Sequence, residues 1–94
     1  MADKVYVGDL GTYIDIDCNE DISGATVHKI IVRKPNGVIA EWSGEIVGTD
    51  ILRHTTILGD LDVPGIYRAQ PYLTIDAWTG RGATANFTVY SRFV

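Results

Sequence analysis

A chain of 94 residues with a formal net charge of −4 is long enough to bury a core as one domain without metal ions or disulfides. Its eight basic residues are scattered along the sequence, which argues against nucleic acid or an anionic membrane surface as a partner. The single cysteine, Cys18, cannot form an internal disulfide, and the apolar residues Ile14 and Ile16 beside it indicate a small buried side chain.

No apolar run approaches the roughly 20 residues that a membrane-spanning helix requires. Residues 1–4 lead directly into a strand-like segment, so we expect no signal peptide there. These features predict a soluble protein made in the cytoplasm and folded as one domain over residues 1–94.

Apolar and polar residues alternate along most of the chain, which predicts strands rather than helices. The predicted strands cover residues 5–7, 12–18, 27–33, 38–43, 51–58, 66–75 and 83–90. Asn36 and Gly37 are a strong hairpin signal between the third and fourth strands, and Trp42 is expected in the core. Pro71 cannot donate a hydrogen bond to a neighbouring strand, so we expect a bulge near Gln70 and Pro71.

The stretch from residue 59 to residue 70 predicts the corner at which the chain crosses between two sheets. In antiparallel sandwiches a tyrosine at this place fills the core while its hydroxyl bonds the backbone a few residues upstream. Here Asp62, Gly65 and Tyr67 fit that arrangement, with Pro64 restricting φ and Gly65 free to adopt a positive φ in a type II turn. A buried strand tyrosine without a special corner is the alternative.

Seven short strands at intervals of roughly 8 to 12 residues, with turn residues between them, are typical of an all-β, immunoglobulin-like antiparallel sandwich. A small β-barrel is the alternative architecture.

Residue types that carry chemistry occur in no recognisable set. His28 and His54 are predicted in strands, and no serine or cysteine stands beside a plausible base, so we expect no enzyme. The carboxylate pairs Asp15 with Asp17 and Asp60 with Asp62 could offer oxygen ligands to calcium, but neither lies in a calcium-loop spacing. We interpret the first pair as a solvent-facing strand surface and the second as turn formers, and we expect neither metal nor cofactor.

Two segments are candidates for contact with a partner. Residues 76–82 predict a loop in which Trp78 and Arg81, residue types enriched at interface hot spots, stand among small residues. Equally, Trp78 could fold back to cap the end of the sandwich. The N-terminal strand of Val5, Tyr6 and Val7 could lie at a sheet edge and add to the sheet of a partner.

An ordered set of motifs resembles small structural proteins of tailed bacteriophages. The segments are residues 5–12, 21–26, 33–37 with its Lys-Pro-Asn-Gly turn, Trp42, the corner at residues 59–67 with its Gly-Ile-Tyr run, and residues 87–89. The set covers nearly the whole chain and is similar to the immunoglobulin-like N-terminal domain of phage baseplate upper proteins. Those proteins usually continue into long trimerising regions, whereas this chain ends at Val94, so decoration, neck and tail accessory roles remain open beside the baseplate.

The resemblance implies a virion structural module that is synthesised in the cytoplasm of a bacterial host and docks on other virion proteins. Its partners would be those proteins and, within a symmetric particle, further copies of itself. The alternative is a module that binds carbohydrate or a host surface, for which Trp78 and the tyrosines would supply stacking platforms. Those tyrosines are Tyr6, Tyr13, Tyr72 and Tyr90.

Overall fold

The structure, a computed structural model, describes residues 5–93, and within them it contains strands, turns and loops but no helix. These residues form nine strands in chain order: β1 (Val5–Tyr6), β2 (Tyr13–Asp17), β3 (Val27–Arg33), β4 (Ile39–Ser43), β5 (Glu45–Val47), β6 (Ile51–Thr55), β7 (Gly65–Ile75), β8 (Trp78–Arg81) and β9 (Ala85–Tyr90). Residues 1–4, for which we expect no signal peptide, lie outside the described residues.

The strands form two sheets that pack face to face. The larger sheet has the order β1-β9-β7-β3-β4, with β8 also paired to β7, and the smaller sheet has the order β2-β6-β5. All pairings are antiparallel except that of β1 with β9, which is parallel. The predicted all-β sandwich is therefore confirmed. Its strand order corresponds to B-E-D in one sheet and C′-C-F-G in the other, as in immunoglobulin-like sandwiches.

Two strands lie where the sequence did not predict them. β5 occupies part of the segment between residues 44 and 50, whose register the alternation pattern left open. β8 occupies most of the predicted loop at residues 76–82, and that prediction was wrong. Asp76 adopts a left-handed φ of 53°, which aspartate tolerates better than most residues, so the chain reverses over Asp76 and Ala77 and pairs Ile75 with Trp78.

Pro71 lies inside a regular strand, and the expected bulge is in the neighbouring strand instead. β7 pairs with β3 without interruption, with Pro71 opposite Ile30. The Pro71 carbonyl accepts a hydrogen bond from the Gly82 amide (3.0 Å), so the side of Pro71 that lacks an N–H faces the junction between β8 and β9. Tyr72 pairs with Arg81 and Ala69 with Ala85, so residues 82–84 oppose only two residues of β7.

The core lies between the sheets and consists mainly of side chains that point inward at every second residue of the strands. Its fully or nearly buried members are Ile14, Ile16, Ile22, Ile30, Val32, Trp42, Leu52, Leu61, Tyr67, Ala69, Leu73 and Val89. Trp42 is in the core as predicted, and the Tyr67 ring stacks on Phe87 with centroids 5.2 Å apart. Period-2 alternation therefore assigned the buried face of most strands correctly.

The corner expected at Tyr67 is present. The Tyr67 hydroxyl donates to the Val63 carbonyl (2.7 Å) and accepts a hydrogen bond from the Val63 amide (3.2 Å). Burial raises the pKa of the Tyr67 hydroxyl, because the ionised form would lose hydration. Asp62 has a different role from the one expected, since its carboxylate binds the Lys34 ammonium at 2.8 Å, and this hydrogen bond lowers the pKa of Asp62.

Gly65 is required at the corner for two reasons. Its φ is +130°, which is positive as predicted but far from the roughly +80° of a type II turn, and L residues rarely adopt it. A Cβ atom at this position would also lie 2.7 Å from Cγ of Pro35, so the hairpin between β3 and β4 packs directly against the Gly65 backbone.

We expect Tyr67→Phe to lower the free energy of unfolding by about 1–3 kcal/mol, because it leaves the partly buried carbonyl and amide of Val63 without their partner. Urea denaturation of both proteins measures this difference. A loss below about 0.5 kcal/mol would show that the hydroxyl contributes no more than a solvated group does.

We expect Gly65→Ala to cost at least about 1 kcal/mol more than Gly11→Ala, since an overlap with a fixed neighbour adds to backbone strain. Gly11 is a matched control because its φ is also positive, at +72°, but an added Cβ would meet no atom within 4 Å. Thermal denaturation compares the two variants. Equal losses of stability would show that close packing on Pro35 is not the reason that residue 65 is glycine.

Candidate docking site

Trp78 and Arg81 lie on the same hairpin but on opposite faces of the sheet. Residues of β8 alternate in direction, so Arg81 points outward with its pair partner Tyr72, while Trp78 points to the other face with Gly80. The Trp78 ring lies so close to Gly80 that a Cβ there would approach it to 2.7 Å, and 48% of the Trp78 surface is exposed. The two residues therefore cannot contact one flat partner surface together.

The N-terminal strand lies at the edge of the larger sheet. Val5 pairs with Val89 and Tyr6 with Tyr90, and the Val7 amide continues the ladder by donating to the Tyr90 carbonyl (3.0 Å). Its expected position at a sheet edge is thus the observed one. Addition of this strand to the sheet of a partner stays a prediction.

A groove of about 340 Å³ crosses the outer face of the larger sheet, and we refer to it as the arginine groove. It is lined by Ile31, Arg33, Ile39, Arg68, Gln70, Arg81 and Thr84. All three arginines are exposed, and Ile39 leaves 59% of its surface in solvent. The lining thus combines guanidinium groups, which bind carboxylates through two parallel hydrogen bonds, with accessible apolar surface.

Two of these arginines oppose each other directly. Arg33 of β3 is the register partner of Arg68 of β7, and both side chains project from the outer face. Side chains in such a position have Cβ atoms about 4.5–5.5 Å apart, and like charges there destabilise a sheet. Among residues 5–93 no carboxylate forms an ion pair with either. The fold therefore keeps an unfavourable pair of cations that a bound anion would relieve.

Arg81 is held in place at the same groove. Its Nη1 donates to Oε1 of Gln70 (3.2 Å), and Nε2 of Gln70 donates to Oγ1 of Thr84 (2.8 Å). This chain of hydrogen bonds orients the guanidinium without neutralising it, which leaves further donors for a ligand.

Charge is divided between the two outer faces of the sandwich. Among the described residues, the strands of the larger sheet direct Lys29, Arg33, Arg68 and Arg81 to the outer face against a single carboxylate, Glu41, which pairs with Lys29 at 3.2 Å. The outer face of the smaller sheet carries Asp15, Asp17 and Glu45 against Arg53. A protein of net charge −4 thus presents one distinctly basic face.

Both histidines are engaged in hydrogen bonds that hold the fold. The His28 Nδ1 lies 2.6 Å from the Gly44 carbonyl. His54 is buried and stacked on Trp42, with Nδ1 2.8 Å from the Ser43 carbonyl and Nε2 2.7 Å from Oδ2 of Asp60. Since the Ser43 carbonyl only accepts, Nδ1 is the donor of that hydrogen bond, while Nε2 contacts the Asp60 carboxylate. Both ring nitrogens of His54 are therefore occupied.

The carboxylates and the thiol also have structural partners. Oδ2 of Asp60 accepts a hydrogen bond from the Ile57 amide (2.9 Å) besides its contact with His54, which fits its predicted role in a turn. Burial raises the pKa of the half-buried Cys18 thiol, and the nearby carboxylates of Asp17, Glu20 and Asp50 raise it further. This thiol therefore stays protonated near neutral pH. Within residues 5–93 no three potential metal-ligating side chains come together.

Arg33 and Arg68 are the residues of this site that reasoning from the sequence missed. They stand 35 positions apart, and the scatter of basic residues along the chain concealed their proximity. A signal existed in the alternation, because both residues lie in predicted strands and alternate there with the side chains of Val32, Tyr67 and Ala69, which are buried. Only the register of β3 with β7 places them side by side.

Comparisons with protein-family models, with curated proteins and with solved structures each found no match for this chain. In the described part of the chain no helix is long and apolar enough to cross a membrane.

We expect Arg68→Gln to leave the free energy of unfolding unchanged or to raise it by up to about 1 kcal/mol, because it removes a like-charge cross-strand pair. The matched control is Arg53→Gln on the other sheet, since Arg53 binds Asp15 through Nε (2.8 Å) and Nη2 (3.1 Å). We expect this control to lose stability, because it removes the ion pair with Asp15. Urea denaturation at low salt measures both, and a clear loss of stability for Arg68→Gln would contradict the interpretation of the arginine pair.

Proposed function

We propose that the protein is a non-enzymatic docking module whose arginine groove binds an acidic surface of another protein. The observation that carries this proposal is the directly opposed, uncompensated pair of Arg33 and Arg68. Retaining such a pair costs stability in the isolated domain, and a partner carboxylate placed between the two guanidinium groups would reverse that cost. The exposed side chains of Ile39 and Ile66 beside the arginines add apolar contact area to the charged centre.

We further propose that the partner belongs to a tailed-phage virion and that the protein is a structural component of the tail, baseplate, neck or capsid surface. The resemblance to phage baseplate domains supports this assignment. Such a component would be made in the host cytoplasm and would function in the particle. Many copies in a symmetric particle would offset weak individual contacts through multivalency, so a small, charged groove would suffice at each position.

The placement of the aromatic residues does not favour the carbohydrate alternative. Tyr72 lies beneath Lys29, whose Nζ is 5.1 Å from the ring centroid, and Tyr13 lies beneath Arg53 on the opposite sheet. Tyr6 and Tyr90 pair with each other at the edge of the larger sheet, and Trp78 covers Gly80. Stacking platforms for a sugar are therefore dispersed over several surfaces, and none lines the arginine groove.

Complementation of a phage that lacks this gene tests the proposal. We expect quantitative mass spectrometry of purified particles to find the wild-type chain at a constant copy number. The double charge reversal Arg33→Glu with Arg68→Glu should reduce incorporation by at least about tenfold, because it would place two carboxylates against an acidic partner. Arg53→Gln, on the opposite face, is the control and should be incorporated as well as wild type.

Two results would contradict different parts of the proposal. Absence of the wild-type chain from purified particles would exclude the virion role. Normal incorporation of the charge-reversed variant, with its melting temperature unchanged, would show that the arginine groove is not the docking surface. If Trp78→Ala alone lost incorporation, the docking surface would be the β7–β8 hairpin and not the arginine groove.

A further inference from the structure

The free edge of β2 borders a gap between the two sheets. β2 is the outermost strand of the smaller sheet, and within residues 5–93 no strand lies on its other side. In immunoglobulin-like sandwiches a further strand, A, stands next to the strand that corresponds to β2. In this protein the strand β1 pairs with β9 in the larger sheet instead, and no strand of residues 5–93 fills the position beside β2.

Along this edge the backbone of β2 presents groups that no strand of the described part of the chain pairs with. The Thr12 carbonyl accepts a hydrogen bond from the Thr56 amide, and the Cys18 amide donates to the Asp50 carbonyl. The backbone N–H and C=O groups of the even-numbered residues in this segment therefore point toward β6. The odd-numbered residues Tyr13, Asp15 and Asp17 therefore direct their N–H and C=O groups away from β6. These groups form the template that an additional strand requires.

An apolar seam of about 200 Å³ lies beneath the same edge. Its apolar lining comprises Val5, Ile14, Ile16, Ala69, Ala85 and Phe87, which belong to both sheets. A strand added beside β2 would direct every second side chain into this seam, in line with Ile14 and Ile16. Free backbone groups and a place for alternate apolar side chains are the two requirements of strand addition, and here they coincide.

The charges along the edge determine which strand it accepts. Asp15 is already bound by Arg53, whereas Asp17 is exposed and lies with Glu20 and Asp50 close to Cys18. Pairing of β2 with β2 of a second copy would bring these carboxylates together and is therefore disfavoured. A strand with basic residues at its outward positions would instead place a cation opposite Asp17.

We propose that the edge of β2 is an acceptor site for an extended segment of a partner protein that alternates apolar and basic residues. The apolar side chains enter the seam between the sheets, and the basic side chains face Tyr13, Asp15 and Asp17. The site is separate from the arginine groove, which lies on the outer face of the other sheet. The protein thus has one surface for an acidic partner and one edge for a basic strand.

Titration with short synthetic peptides, followed by two-dimensional NMR of the labelled protein, tests this proposal. A capped peptide that alternates lysine and valine should bind and shift the amide signals of Tyr13, Asp15 and Asp17. A glutamate and valine peptide of equal length is the charge control and should bind at least about tenfold more weakly. Equal affinity of the two peptides, or shifts confined to residues outside β2 and the seam, would overturn the proposal.

Two variants separate backbone pairing from charge attraction. Asp15→Pro removes one outward N–H while leaving the hydrogen bonds to β6 intact. Asp15→Ala is its matched control, because both variants lose the carboxylate and its contact with Arg53 but the alanine variant keeps the N–H. We expect the proline variant to bind the lysine peptide about two- to tenfold more weakly than the alanine variant does, as the loss of one hydrogen bond predicts. Equal binding by the two folded variants would exclude strand pairing.

Asp17→Lys keeps the proposal testable if the proline variant fails to fold. This exposed substitution should reverse the preference, so that the glutamate peptide binds more tightly than the lysine peptide. An unchanged preference for the lysine peptide would show that Asp17 does not face the bound strand, and it would overturn the assignment of the site.

Discussion

The antiparallel pairing of β3 with β7 is the constraint on which both the core and the arginine groove depend. Seven residue pairs join these strands, from Val27 with Thr74 to Arg33 with Arg68. The register places Ile30 and Val32 in the core, and a shift by one residue would move every side chain of one strand to the opposite face. Burial of the apolar face therefore also determines that Arg33 and Arg68 stand together outside.

The corner before β7 holds this register from one end. Tyr67 bonds Val63, while the buried Lys34 ammonium joins the end of β3 to Asp62 and to the Gly59 carbonyl. A buried ammonium is tolerated because both of these oxygens satisfy it, and removal of either would leave part of its charge without compensation. The loop between β6 and β7 and the hairpin between β3 and β4 are consequently fixed to each other.

The two sheets differ in how their surfaces can be used. The larger sheet has a basic outer face, where the repulsion between the opposed side chains of Arg33 and Arg68 is not relieved by a carboxylate of the described residues. The smaller sheet is acidic and ends in β2, whose carboxylates oppose pairing with an identical edge. Like-charged edges are one way in which β-proteins avoid aggregation, and the same charges select a partner of opposite sign.

Local chemistry in the sequence determined the all-β class, the buried faces of most strands, the core position of Trp42 and the corner at Tyr67. These features depend on residues close together in the chain, where alternation and turn propensities act. The hairpin that contains β8 was missed because its turn uses Asp76 and Ala77 rather than an Asn-Gly pair. Its two prominent residues, Trp78 and Arg81, were then assigned to one loop although strand geometry sends them to opposite faces.

Only the tertiary structure decided which distant residues meet. The pairing of Arg33 with Arg68, the contact of Lys34 with Asp62, and the seam beneath β2 all join segments separated by long stretches of chain. Strand order and register set these contacts, and both depend on the packing of the whole core rather than on any local pattern. The basic residues are therefore scattered along the sequence, whereas the folded sheet brings several of them together on one face.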